Sequence, residues 1–140
     1  MDWLDQLPCA VLVTDGSGGV LASNADLARL AGVPGRWAGR SINELLPPAS
    51  RIFMQTHVWP LLLRESRVNE VSLQVVDARQ QRLPVLLNCC LGEHAGKPAY
   101  FWALFVARER HRFEAELLAA RQRANDSAQA LVLEHQRQTT

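Results

Sequence analysis

The chain has 140 residues, a formal net charge of +1 and 48% hydrophobic residues, which suits one domain with a real core and excludes a whole-molecule polyanion binder. No run approaches the roughly 18 uninterrupted apolar residues of a membrane span, and the opening Met1-Asp2-Trp3-Leu4-Asp5 is acidic where a secretory signal would be basic. The three cysteines include the neighbours Cys89 and Cys90, a poor disulfide framework that fits reduced thiols and a cytoplasmic setting.

The first apolar run is Cys9-Ala10-Val11-Leu12-Val13-Thr14, followed by Asp15-Gly16-Ser17-Gly18-Gly19 and a second run, Val20 to Ser23. Two short β-type runs around a Gly-rich connection predict a hairpin. Gly16-Ser17-Gly18 lacks the spacing of a nucleophile elbow and reads as a plain turn. Asn24 then opens a short helix with Leu27, Leu30 and Ala31 on one face, and Gly32 ends it.

Ser41-Ile42-Asn43-Glu44 has the capping-box pattern, stopped by Pro47-Pro48. Ser50 is expected to cap a helix from Arg51 to about Arg64. Its apolar stripe reads Ile52, Thr56, Trp59 and Leu63, with Phe53, His57 and Leu61 in a second row. Pro60 lies inside this pattern and should kink or split the helix, because the bond to the Thr56 carbonyl is lost.

Three strand-like runs follow. Val71, Leu73 and Val75 alternate with polar residues, the mark of a half-buried strand. The run Leu83 to Leu91 is apolar at odd positions and mixed at even ones. Tyr100 to Ala107 is apolar on both faces, so a second cover is needed beyond the helices: the Trp3-Leu4-Leu7 segment or a partner subunit.

From about Arg108 the pattern becomes one long charged helix without Gly or Pro. Phe113, Leu117, Ala120, Ala124, Ser127 and Leu131 recur as a heptad seam, thin in the middle. A helix with one such stripe needs a partner helix, most simply its own copy. The arginines here alternate with Glu109, Glu114 and Glu116, so nucleic acid is not expected as a partner. Strands from both ends and short helices between them make an α+β domain over residues 1–107, with an amphipathic output helix over 108–140.

The order of elements resembles a PAS domain, carried by Leu7-Pro8-Cys9-Ala10-Val11-Leu12-Val13-Thr14-Asp15-Gly16 and Val20 through Asn24. A more specific likeness lies in Ser50-Arg51-Ile52-Phe53-Met54-Gln55-Thr56-His57-Val58-Trp59-Pro60-Leu61-Leu62, with Val68-Asn69-Glu70-Val71 and Leu83-Pro84-Val85-Leu86-Leu87-Asn88. These are similar to a bacterial PAS subgroup found ahead of PP2C-type phosphatases, diguanylate cyclases and histidine kinases. At the exit from the last strand, Val106-Ala107-Arg108-Glu109-Arg110 departs from the Asp-x-Thr-Glu-Arg junction of many such domains.

The resemblance implies a five-stranded antiparallel sheet with short helices on one face and a pocket between them. The expected pocket residues are Arg51, Phe53, His57, Trp59, Leu73, Leu87, Asn88, Trp102 and Leu104, although for the aromatics core packing is the plainer reading. Arg51 is the candidate for an anionic ligand group, and Asn88 for either a ligand contact or pairing within the sheet. It also implies a homodimer, with Trp3, Leu4, Leu7, Phe113, Leu117, Ala120, Ala124 and Leu131 at its interface, and an effector domain in cis (phosphatase, diguanylate cyclase or kinase).

His57 falls on the helix from which haem-binding PAS proteins supply their iron ligand, but a wall-shaping histidine is the preferred reading. The flavin-binding subgroup's Asn-Cys-Arg-Phe motif has no counterpart. The sequence leaves the cofactor unassigned, with haem and flavin as the disfavoured candidates, and His94, His111 and His135 have no metal spacing. Cys9, Cys89 and Cys90 read as small buried hydrophobes, with a redox-sensing thiol as the alternative. No paired carboxylates, activated nucleophile or phosphate loop is found, so the chain is not expected to be an enzyme. A sensory module bearing a small ligand is the leading reading, and a filled-core dimerisation module or a haem or redox sensor the alternative. The chain ends at Thr140 without an output domain and reads as part of a longer protein.

Overall fold

The computed structural model describes residues 3–33, 35 and 37–138, with side chains of the last helix described over 115–130. Two units are separated at Ala107: Met1–Ala107 and Arg108–Thr140.

In the first unit, a 3-10 turn at Trp3–Gln6 precedes the hairpin of Ala10–Thr14 (β1) and Val20–Ser23 (β2). Asp15 organises the connecting turn. Its Oδ1 accepts the Ser17 N–H at 2.9 Å, the Ser17 hydroxyl at 2.8 Å and the Gly19 N–H at 2.9 Å. Gly18 sits at φ +90°, and a Cβ there would lie 2.9 Å from Cγ2 of Ile42, so both conformation and space call for glycine.

Helix α1, Ala25–Ala31, begins at Asn24 and ends at Gly32 with φ 69°, as the sequence predicts. Asn24 is only 3% exposed, and its side chain uses its full bonding capacity. Oδ1 accepts from the N–H groups of Val11 and Leu27, both at 3.0 Å; Nδ2 donates to the carbonyls of Leu4 at 2.9 Å and Cys9 at 2.8 Å. One side chain thus ties the N-terminal turn, β1 and α1 together. In the following segment, Trp37 is buried under the Arg40 guanidinium, 4.9 Å from its ring, and its indole N–H finds no acceptor among the described residues.

The capping box of Ser41 and Glu44 forms on a 3-10 turn, Ile42–Leu45. The next helix starts earlier than the sequence suggests: Pro48 occupies its first turn, and the Ser50 hydroxyl donates instead to the Gln74 carbonyl at 2.8 Å. Pro60 does split it. Helix α2, Pro48–Phe53, passes into a π turn, Met54–Val58, and then into α3, Trp59–Glu65. Proline has no N–H to offer the Thr56 carbonyl, and in the widened turn the Trp59 N–H reaches back to Met54.

The buried face of this helix corrects the sequence reading. Met54, Val58 and Leu62 form the ridge against the sheet, each 1% exposed, while Ile52 and Leu63 of the expected stripe are 61% and 75% exposed. Almost every residue here is apolar or amphipathic, so periodicity alone cannot choose the inward face.

Arg67–Val76 (β3), Arg82–His94 (β4) and Lys97–Val106 (β5) complete a five-stranded antiparallel sheet in the order β2-β1-β5-β4-β3. The helices pack on one face, against Leu12, Leu73, Val75, Val85, Leu87, Trp102 and Leu104. Register places Val11, Asn88, Cys90, Phe101, Ala103 and Phe105 on the other. The N-terminal turn reaches that outer face: Leu4 is buried and Leu7 half-buried, while Trp3 stays exposed. The chain leaves the sheet with a backbone bond from the Ala107 N–H to the Pro84 carbonyl at 2.8 Å.

The second unit is one helix, α4, Arg108–Gln138. Its described side chains are all exposed, including Leu117 and Leu118 at 53% and 64%. Phe113 and Leu131 of the expected seam lie outside the described side chains. Among the described residues no helix is long and apolar enough to cross a membrane.

Candidate functional site

The layer between the sheet's inner face and the α2–α3 helix is where the structure gathers most of the expected residues. Leu73, Leu87, Trp102 and Leu104 come up from β3, β4 and β5, and all are buried. Met54, Val58 and Leu62 descend onto them. Trp59 wedges in at the start of α3. Its ring stands edge-on to Tyr100 (5.2 Å, 87°) and to Trp102 (5.3 Å, 74°), an arrangement aromatic rings favour.

Within this layer the Trp102 indole N–H donates to the Thr14 hydroxyl oxygen at 2.8 Å. It satisfies a fully buried donor, which would otherwise cost about 1–3 kcal/mol, and it locks the Trp102 ring in place. Neither Thr14 nor Tyr100 was among the expected pocket residues. Their signal was the alternation of β1 and β5, which puts Thr14 and Tyr100 opposite each other on the face that also carries Leu12 and Trp102.

Four expected residues lie elsewhere. Arg51 is exposed and its Nε–H is shared between the carbonyls of Asn43 at 3.1 Å and Leu46 at 2.8 Å, which fastens α2 to the preceding turn. Phe53 and His57 are on the solvent side of the helix, stacked on one another with centroids 4.8 Å apart. The Thr56 hydroxyl oxygen lies 2.8 Å from both the Ile52 carbonyl and Nδ1 of His57. With the hydroxyl proton given to the carbonyl, Nδ1 carries the other hydrogen and donates it to Thr56. This imidazole does not reach the interior, so it does not fit the role of axial ligand to a haem held there. Asn88 is on the opposite face of the sheet, where its Oδ1 accepts the Glu70 N–H at 2.6 Å.

The outer face has a hollow of about 240 Å³ between the N-terminal turn and the strands, bordered by Trp3, Leu4, Leu7, Val11, Cys90 and Phe101 among others. Trp3, Leu4 and Leu7, three of the eight residues expected at a dimer contact, therefore border a mainly apolar depression. Among the described residues no cluster of three or more His, Cys, Asp or Glu side chains suits a metal ion. Burial raises the Cys89 thiol far above its usual range, with the neighbouring Cys90 adding to the effect, so Cys89 is held as an inert thiol.

A five-stranded antiparallel sheet in this order, with α1 to α3 on one face and an aromatic-filled layer between, defines a sensory-type α+β fold. The family model for the PAS fold matches residues 3–106, and the chain belongs to the PAS family. Among known proteins it is 27% identical over 124 residues to phosphoserine phosphatase RsbP of Bacillus subtilis, an alignment covering 88% of this chain and 31% of that one. The chain thus spans about a third of that relative's length. Among solved structures it resembles a PAS domain from Colwellia psychrerythraea, with a TM-score of 0.65 and 16% identity over 74% of this chain and 89% of that one. A PAS domain of a LuxR-family transcriptional regulator from Burkholderia thailandensis, solved in complex with ethanol, gives a TM-score of 0.62 and 14% identity over 76% and 97%. At these identities the two structures speak for the fold alone.

Proposed function

We propose that this chain is the regulatory input module of a bacterial signalling protein, that it takes up a small ligand between the sheet and the α2–α3 helix, and that it acts as a dimer on an effector in cis. The observation that carries the reading is the layer formed by Trp59, Tyr100, Trp102 and Thr14. It is apolar, closed over by a helix with an irregular turn, and furnished with a hydroxyl at its centre. Trp102 lies on β5, the strand that runs directly into the exit helix. A change of packing at that strand has a short covalent route to α4. The likeness to a phosphatase of which the chain spans only part supports a module that controls an enzyme elsewhere in its protein.

The setting we assign is the cytoplasm, and no catalytic role is assigned to these residues. The second reading, a filled-core dimerisation module, is favoured by one observation: Trp59 already packs edge-on against Tyr100 and Trp102 within this layer. Native mass spectrometry separates the two. A mass above the polypeptide by a few hundred daltons, lost on denaturation, is expected for the sensor. A bare polypeptide mass that no candidate ligand increases would overturn it in favour of the filled core.

A further inference from the structure

We infer that Trp59 is a displaceable plug, and that the ligand which replaces it is an uncharged planar aromatic of about indole size. This rests on the sensory reading and names the ligand class of that same layer.

Trp59 is the large aromatic that spans from solvent to the centre of the domain. It is only partly buried, yet its ring meets Tyr100 and the fully buried Trp102. On its other side lies the β1–β2 turn: a Cβ on Gly18 would stand 3.9 Å from Cζ2 of Trp59. The ring therefore fills the space between the hairpin turn, β5 and α3. Because it is partly exposed, removing it would leave a gap there that reaches solvent.

The backbone beneath the ring is suited to movement. Trp59 is the first residue of α3, directly after the π turn, and its N–H bonds to Met54 in the wide spacing of that turn. A π turn holds one more residue than the α-helix needs. Pro60 contributes no N–H at the next position, so a shift of Trp59 breaks no bond donated there.

The chemistry of the layer sets the ligand class. Among the described residues the buried polar side chains are Thr14, Asn24 and Ser50, and none is charged. A charged ligand would lose its hydration with no opposite charge to meet it. Two rings that already receive an aromatic edge-on offer the same geometry to a flat aromatic guest. Apolar protein cavities of roughly 150 Å³ admit benzene-sized molecules.

The test uses the full chain, with indole as the probe, by calorimetry and by fluorine NMR of 5-fluorotryptophan-labelled protein. Trp59→Ala should bind indole at least tenfold more tightly than the wild-type chain, since the plug no longer competes. Trp59→Phe should fall between them, and serves if the alanine variant does not fold. In the wild-type chain, indole should move the Trp59 and Trp102 signals and leave that of Trp3 in place. Equal affinity of the folded variants and the wild type, with or without measurable binding, would overturn the plug. So would binding to the wild-type chain with the Trp59 signal unmoved. In that last case the sensory reading survives, because a ligand is bound while the proposed gate is wrong.

Discussion

Asn88 accepts the Glu70 N–H through its side-chain oxygen at 2.6 Å, at the place where the register of β3 against β4 shifts. Glu70 has φ 55°, a conformation that needs support in a non-glycine residue. Asn88 therefore shapes the bulge from the outer face, with no part in the inner layer. Asn88→Ala should lower stability by about 1 kcal/mol, which for a domain of this size is a fall of roughly 4–8 °C in Tm. Asn88→Asp should keep most of it. A loss of ligand affinity in Asn88→Ala at unchanged Tm would return this residue to the binding site.

Asn24 is the second structural prediction. Asn24→Asp keeps the acceptor for Val11 and Leu27 but leaves the carbonyls of Leu4 and Cys9 without their donor. The N-terminal turn should then lose protection against hydrogen exchange while the sheet keeps it. Asn24→Ala removes all four bonds and should cost about 3 kcal/mol or more. Uniform loss of protection in both variants would mean that the turn is not separately held.

Acid sensitivity follows from Asp15. The Ser17 hydroxyl foremost, then the N–H groups of Gly19 and Ser17, hold its carboxyl below the usual value of about 3.9. A pKa depressed by folding contributes stability that is present above the unfolded value and is lost as pH falls through the folded one. The stability difference between the wild-type chain and Asp15→Ala should thus be flat above about pH 4 and shrink below it. Urea unfolding at a series of pH values measures this. A gap that widens on acidification would contradict the assignment.

The three cysteines should react in a set order. Cys89 is 2% exposed, and burial raises its thiol strongly; Cys9 is raised too, by partial burial first and the Asp26 charge second. Cys90 borders the outer hollow. Alkylation followed by peptide mapping should label Cys90 first and Cys89 only as the protein unfolds. Early labelling of Cys89 would show that the inner layer opens readily.

Association should depend on α4. Leu117, Ala120, Ala124 and Ser127 of the expected seam are exposed along its described stretch, so the helix by itself leaves this part of the seam uncovered. Cutting the chain after Arg110 should weaken self-association by at least tenfold in analytical ultracentrifugation. An unchanged dissociation constant would move the interface to the outer face around Trp3 and Leu7.

The fold was legible wherever one residue type had one physical use. Asn24 before Leu27, Gly32 after Ala31, Ser41 with Glu44, Pro60 within a helix and the alternation of Val71, Leu73 and Val75 each admit one structure. The inward face of residues 51–64 was not legible, because Ile52, Phe53, Met54, Val58, Leu61, Leu62 and Leu63 surround the helix with apolar side chains. The π turn then changes the phase between its two halves. That choice put Phe53 and His57 into the expected pocket and left Met54 and Val58 out. Asn88 was ambiguous for a different reason: a bulge opposite a strand residue leaves no periodic trace.

The wide turn at Met54–Val58 also sets a limit on how this helix tolerates change in length. A regular α-helix turns about 100° per residue, so an insertion or deletion normally rotates everything beyond it off the core. Here the helix carries a surplus residue, and a chain shortened by one position within 54–58 has a regular α-helix open to it. Met54 and Leu62 would then stand seven residues apart in a regular helix and still share a face, so α3 and the Trp59 ring would keep their place against β5. Within this one segment, a loss in length is absorbed by the turn and leaves the ring that touches Trp102 in place.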